Sequence, residues 1–184
     1  MANSNQEKSN QEESSEKNSR SGRLSFEVHP LWRFLQDTYG FEESFDFFGP
    51  YRGASIRPRI IDDYTIEVRM PLELSNTNYV GTQFGGSLYS MCDPFYMALL
   101  IRNLGPQYMV WDKGASIDFI RPGTGEVHAV FHISREELEE IKRTVEKERK
   151  SIRHYEVEIK GEQGEVVALV KKELYVRKLR ASGK

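Results

Sequence analysis

Residues 85–104, "GGSLYSMCDPFYMALLIRNL", form an apolar run of helical length without a continuous polar face. On a helical wheel Leu88, Met91, Cys92, Phe95 and Leu99 share one stripe. Tyr89, Asp93, Met97, Leu100 and Leu104 lie on a second, mostly apolar arc. A helix that is apolar nearly all round is buried nearly all round, so the remaining chain has to wrap it. The spacing predicts a helix from about Gly86 to Asn103, stopped by Gly105–Pro106.

The flanking segments supply the wrapping. "PLWRFLQDTYG" predicts a short helix around His29–Tyr39 with Leu31, Phe34 and Leu35 at helical spacing, followed by an aromatic-rich turn around Phe41–Phe48. "ASIRPRIIDDYTIEVRMPLE" reads as two strands joined at Asp62–Asp63, with Ile66, Val68 and Met70 on one face. After the helix, "YMVWDKGASIDFIRPGTGEVHAVFHIS" predicts a hairpin turning at "RPGTG". Trp111, Lys113, Ala115, Ile117 and Phe119 share a face of its first arm, and Val127, Ala129, Phe131 and Ile133 a face of its second. "SREELEEIKRTVEKERK" is amphipathic, with Leu138, Ile141 and Val145 inward and the Ser134/Glu137 spacing of a capping box. A last hairpin turns at "GEQG". The expected class is α+β, with about six antiparallel strands around one long central helix.

Residues 1–23 have only Met1 and Ala2 as apolar side chains. That composition cannot offset the entropy of ordering, so we expect a disordered polar tail and a single domain over 24–184. The formal net charge of -2, with both signs interleaved, gives no argument for nucleic acid as a partner. No apolar stretch reaches the length of a membrane span, and the first residues lack a leader's apolar run. One cysteine, Cys92, excludes an internal disulfide and fits a reducing compartment. The expected location is cytoplasmic.

Asp93 is the residue that the buried-helix reading does not explain. It lies too far in to cap the N-terminus, and burial makes a carboxylate costly and raises its pKa. Pro94 has no N–H to give the Ser90 carbonyl and biases Asp93 away from helical angles. Four readings stay open: an acid bonded to a neighbouring hydroxyl, one paired with a lysine such as Lys113, one exposed by a break at Pro94, or a functional carboxylate. Gly85 and Gly86 fall where the first unbonded helix amides lie, where a ligand oxygen can approach without a Cβ in the way. That is the design of an oxyanion hole, and equally of a tight turn. Gly85 and Asp93 are eight residues apart, roughly 12 Å along a helix at ~1.5 Å per residue. One carbonyl group cannot touch both, so a shared reaction centre requires two subunits with antiparallel helices.

"NYVGTQFGGSLYSMCDPFYMALL", followed by "VWDKGASIDFIRPG" and a closing "GEVVALVKKELYVRK", resembles the hotdog-fold thioesterase superfamily, in particular an acyl-CoA thioesterase-like branch, over roughly residues 30–178. The resemblance implies a hotdog fold, a homodimer or dimer of dimers, and acyl-CoA as substrate, without a cofactor or a metal. In the phenylacetyl-CoA-type members His-Gly-Gly opens the helix and an Asp seven residues after the second glycine is base or nucleophile. Here that Asp is Asp93, and the Gly85 N–H would polarise the thioester carbonyl. Asn78 matches a polar position that holds water or the carbonyl. Gly86, Phe84, Ser87, Tyr89 and Met97 are the candidate substrate-contacting residues, and Tyr89, Met97 and Leu100 would line an acyl tunnel. Phe84 stands in place of the His, and Pro94 in place of a small or hydroxyl residue. The alternative is therefore a non-catalytic acyl-CoA or acyl-chain binding module on the same fold.

Other chemistries fit poorly. His128 and His132 are four apart on a strand, roughly 13 Å, too far for one metal. "GGSLYS" is not a nucleophile elbow, and "GTQFGG" lacks the Lys-Ser/Thr of a phosphate loop. Cys92 lies on the apolar stripe and reads as a small hydrophobe. Arg143, Lys147, Arg149, Lys150 and Arg153 alternate with glutamates and read as a solvated face rather than a phosphate site.

Overall fold

The computed structural model describes residues 28–179; the tail expected at 1–23 lies outside them. Its helices are α1 (Pro30–Tyr39), α2 (Phe41–Ser44), α3 (Gly49–Ala54), α4 (Gly85–Ser90), α5 (Phe95–Leu104) and α6 (Arg135–Glu148), and a 3-10 turn (Phe45–Phe47) joins α2 to α3. The strands are β1 (Arg57–Asp62), β2 (Thr65–Met70), β3 (Tyr108–Phe119), β4 (Val127–His132), β5 (Lys150–Gly161) and β6 (Val166–Lys178). They form one six-stranded antiparallel sheet in the order β1-β2-β4-β5-β6-β3.

The α4–α5 segment lies in the hollow of this sheet. Met91, Cys92, Phe95, Leu99 and Leu100 are all at or near zero exposure. From the sheet come Val68, Met70, Val127, Ala129, Phe131, Ile133, Val170 and Leu174, equally buried. Strand alternation puts those residues on one face, and burial there drives the wrap. β4 and β5 pair only through Val127–Gly161 and His128–Lys160 before they part. Where they part, the Tyr96 hydroxyl of α5 donates to the Glu156 carbonyl at 2.9 Å, and its ring stacks on Tyr155 at 4.4 Å. The Ser134 hydroxyl caps α6 by accepting from the Glu137 N–H, and Leu138, Ile141 and Val145 face inward, as the sequence predicts.

Three expectations are corrected. The β3–β4 hairpin does not form: β3 pairs with β6 at the sheet edge, while β4 sits between β2 and β5. "RPGTG" is thus a crossing connection, which local turn chemistry cannot distinguish from a hairpin loop. The single face of Trp111, Lys113, Ala115, Ile117 and Phe119 is broken, because the register slips between Asp112 and Gly114. A bulge of one residue reverses the alternation beyond it. On α1, Leu31 and Phe34 are 58% and 61% exposed rather than inward, and no residue of that helix is buried. Trp32 instead is the side chain packed toward the core, 5.1 Å from the Phe45 ring.

Candidate functional site

The central helix breaks where Pro94 requires it to. α4 ends at Ser90, a turn spans residues 91–94, and Pro94 is the residue preceding α5. The Ser90 carbonyl, which no helical amide four residues on can reach, accepts from the Tyr51 hydroxyl of α3 at 2.9 Å and from the Asp93 N–H at 3.2 Å. The break turns Asp93 outward, and its side chain is 52% exposed. The burial expected for this carboxylate, and the desolvation argued from it, are therefore not there.

The buried charge at the site is Lys172 of β6, whose side chain is 1% exposed. Its ammonium lies 2.9 Å from Asp93 Oδ1 and 3.2 Å from Asp112 Oδ2 on β3. The Tyr89 hydroxyl donates to the same Asp93 Oδ1 at 2.9 Å, and Lys172 Nζ reaches that hydroxyl at 3.4 Å. Three of the four readings of Asp93 thus hold together: it is exposed by the break, bonded to a hydroxyl and paired with a lysine. The lysine is not Lys113, which the bulge directs to Glu173 at 2.5 Å. Lys172 sits on the inward parity of β6 with Val170, Leu174 and Val176. A lysine in phase with strand core positions was the available sequence signal.

Two carboxylates share one ammonium here. Burial pushes the Asp112 carboxyl above its ordinary range, against the pull of Lys172, and its buried Oδ1 has no hydrogen-bond partner. For Lys172, burial alone favours the neutral amine, but the hydrogen bond to Asp93 and the field of Asp112 outweigh it and raise its pKa on balance. Tyr89 is raised by burial and by its bond to Asp93. Burial also pushes the Cys92 thiol far above its usual value, which removes it as a nucleophile.

The glycine turn lies at the other end of α4. Ser87 and Leu88 make the first helical bonds, both to the Phe84 carbonyl, so the Gly85 and Gly86 amides precede the ladder. Both glycines are closely approached. A Cβ on Gly85 would lie 2.8 Å from the Phe119 ring, and one on Gly86 would lie 2.4 Å from the Phe84 ring. Asn78 is occupied with the preceding loop: its Nδ2 donates to Thr82 Oγ1 and the Gln83 carbonyl, and its Oδ1 accepts from the Val80 and Thr82 amides. Of the sequence candidates, Tyr89 and Asp93 meet directly, and Met97 and Asp93 share a wall. Asn78, Phe84, Gly85, Gly86 and Ser87 stay together at the start of α4.

That wall belongs to a cleft of about 650 Å³ between the α1–α3 layer, α5 and the start of β3. Asp93, Pro94 and Met97 face it from one side, Trp32, Phe41 and Phe48 from the other. Leu100, expected in an acyl tunnel, is wholly buried in the core instead. Among the described residues no cluster of three or more His, Cys, Asp or Glu has metal-site geometry, and no helix is long and apolar enough to cross a membrane.

A helix cradled by a six-stranded antiparallel sheet is the hotdog fold, the fold of many thioesterases. The chain belongs to the family described as a domain of unknown function, DUF4442, which it matches over residues 40–176. It is similar to a Pseudomonas aeruginosa protein of unknown function described as a "Probable Thioesterase" (19% identity, TM-score 0.66, covering 80% of this chain and 93% of that one). It is also similar to a Haemophilus influenzae thioesterase (14% identity, TM-score 0.57, covering 88% and 100%). A Chlorobaculum tepidum protein of unknown function has 19% identity and a TM-score of 0.62, covering 80% and 94%. No curated protein matches the sequence significantly. At these identities the likeness is one of fold.

Proposed function

We propose that this protein hydrolyses acyl-CoA thioesters in the reducing cytoplasm, at a site completed by a second copy of the chain. The observation that carries the reading is the half-exposed Asp93 carboxylate at an apolar cleft, oriented by two donors on one of its oxygens. With Oδ1 held by Lys172 and Tyr89, Oδ2 either takes the proton of a water whose oxygen attacks the acyl carbon, or attacks that carbon itself to give an anhydride that water then cleaves; on both routes the C–S bond breaks and CoA leaves as its thiolate. The Gly85 amide of the partner chain polarises the thioester carbonyl, and Asn78 sets the loop that leads into that turn.

The dimer, or dimer of dimers, is supported by the sheet edge. β3 is an edge strand, and from Lys113 to Phe119 it is exposed on both faces except at Ile117. An exposed edge of this length is a template for strand pairing. Phe84, Phe119 and Ile120 are each more than half exposed around the glycine turn, an apolar rim of the kind that a partner covers.

Hydrolysis of a series of acyl-CoAs by wild type and Asp93→Asn tests this. Loss of at least a hundredfold in kcat with binding retained is expected, and undiminished activity would remove Asp93 as the reacting group. The second reading, acyl-CoA binding without turnover, is favoured by one observation: Asp93 Oδ1 is already engaged by both the Lys172 ammonium and the Tyr89 hydroxyl, each at 2.9 Å. Binding with no hydrolysis by wild type would establish it.

A further inference from the structure

The central helix and the α1–α3 layer enclose a cleft that the sheet does not need for its own packing. We propose that this cleft, within a single protomer, takes the uncharged hydrocarbon tail of the acyl group, so that α1–α3 sets acyl size. The inference rests on the thioester reading only for which end of the ligand lies at Asp93.

The volume of about 650 Å³ is that of a small-molecule pocket rather than a packing defect. Its walls are rings and aliphatic chains: Trp32, Phe41 and Phe48 from the layer, Met97 and Ile101 from α5. The titratable groups in the wall are largely committed. The Tyr51 hydroxyl serves Ser90, the Arg102 guanidinium pairs with Asp63 at 2.9 Å, and His29 Nδ1 accepts from the Leu31 amide. A tail ending in a carboxylate finds no uncommitted guanidinium or ammonium among these groups, so an apolar tail is the matching chemistry. Within the layer, α1 is the part able to yield. α1 has no buried residue; its rings Trp32 and Tyr39 lie on the layer below, Trp32 5.1 and 5.6 Å from Phe45 and Phe48 and Tyr39 4.8 Å from Phe47. Elements with few buried contacts open at low cost, which lets one layer admit chains of several lengths.

Binding of non-hydrolysable thioether analogues of acetyl-, hexanoyl-, decanoyl- and tetradecanoyl-CoA, measured by calorimetry on the full chain carrying Asp93→Asn, separates this from catalysis. Affinity is expected to rise roughly fourfold per methylene until the cleft is filled. Ala98→Phe, which narrows the α5 wall, is expected to weaken decanoyl binding at least tenfold and leave acetyl binding unchanged. Trp32→Ala should shift the optimum to longer chains. Equal losses for all lengths, or an unaltered length dependence in both variants, would overturn the proposal. For a readout independent of any variant's folding, a decanoyl-CoA thioether with a terminal diazirine should label wild type within residues 28–51. Labelling confined to segments that do not wall the cleft, away from α1–α3, residues 93–102 and residues 110–111, sinks the idea. Full hydrolysis by Asp93→Asn would instead defeat the catalytic reading alone.

Discussion

Lys172 Nζ and Asp93 Oδ1 meet at 2.9 Å across 79 residues of sequence, and the lysine is almost wholly shielded from solvent. This contact ties the break in the central helix to the inner face of β6. It fixes which oxygen of Asp93 is already engaged. Asp112 completes the arrangement from β3, so three separate elements set the electrostatics of one exposed carboxylate.

Lys172→Met keeps the volume and removes the ammonium. Asp112, whose Oδ1 is already buried without a partner, then loses its cation, while Asp93 can turn to water. We expect a loss of about 2 kcal/mol at neutral pH in urea denaturation. Adding Asp112→Asn should recover most of it. Activity should stay low in the double variant, because Asp93 keeps only the Tyr89 hydroxyl of its two positioning donors.

The pH dependence follows from the raised Asp112 carboxyl. Its folded pKa lies above the unfolded value, so between the two the native state binds more protons. Stability from this group is fully present below about 3.9 and declines as pH rises through the folded value. Relative to Asp112→Asn, wild type should therefore lose melting temperature as pH rises from about 3.5 and stay at a constant deficit once Asp112 is ionised. Melting curves of both proteins across the acid range would measure it; a difference that widens on acidification contradicts the assignment.

Tyr51→Phe withdraws the hydroxyl that serves Ser90, with an expected cost of about 1 kcal/mol since the Asp93 amide still donates there. In a Pro94→Ala background the new amide at position 94 can bond that carbonyl, so the same change should cost less. The cycle reads the coupling directly. Pro94→Ala alone should depress hydrolysis by drawing Asp93 toward a continuous helix.

Gly85→Ala places a methyl 2.8 Å from the far edge of the Phe119 ring, itself 60% exposed and free to swing. Stability should change by less than about 1 kcal/mol. In the proposed reaction the methyl crowds the oxyanion position, so kcat should fall at least tenfold. Unchanged kcat would leave the Gly85 amide with a structural role only.

Local pattern identified the central helix stripe, the core faces of β2 and β4, the β5–β6 hairpin and the capped helix α6. These are local properties, because burial of one face repeats every 3.6 or 2 residues along the chain. The break at Pro94 was also legible, since proline lacks an amide whatever surrounds it. What the tertiary structure decided is non-local. β3 lies beside β6 rather than β4, the bulge at Lys113 turns that residue outward, and Lys172 rather than Lys113 meets Asp93. Sequence carries each side chain's period, but not which distant strand will satisfy its backbone or which buried charge will find it. Those outcomes depend on the whole sheet closing around the helix.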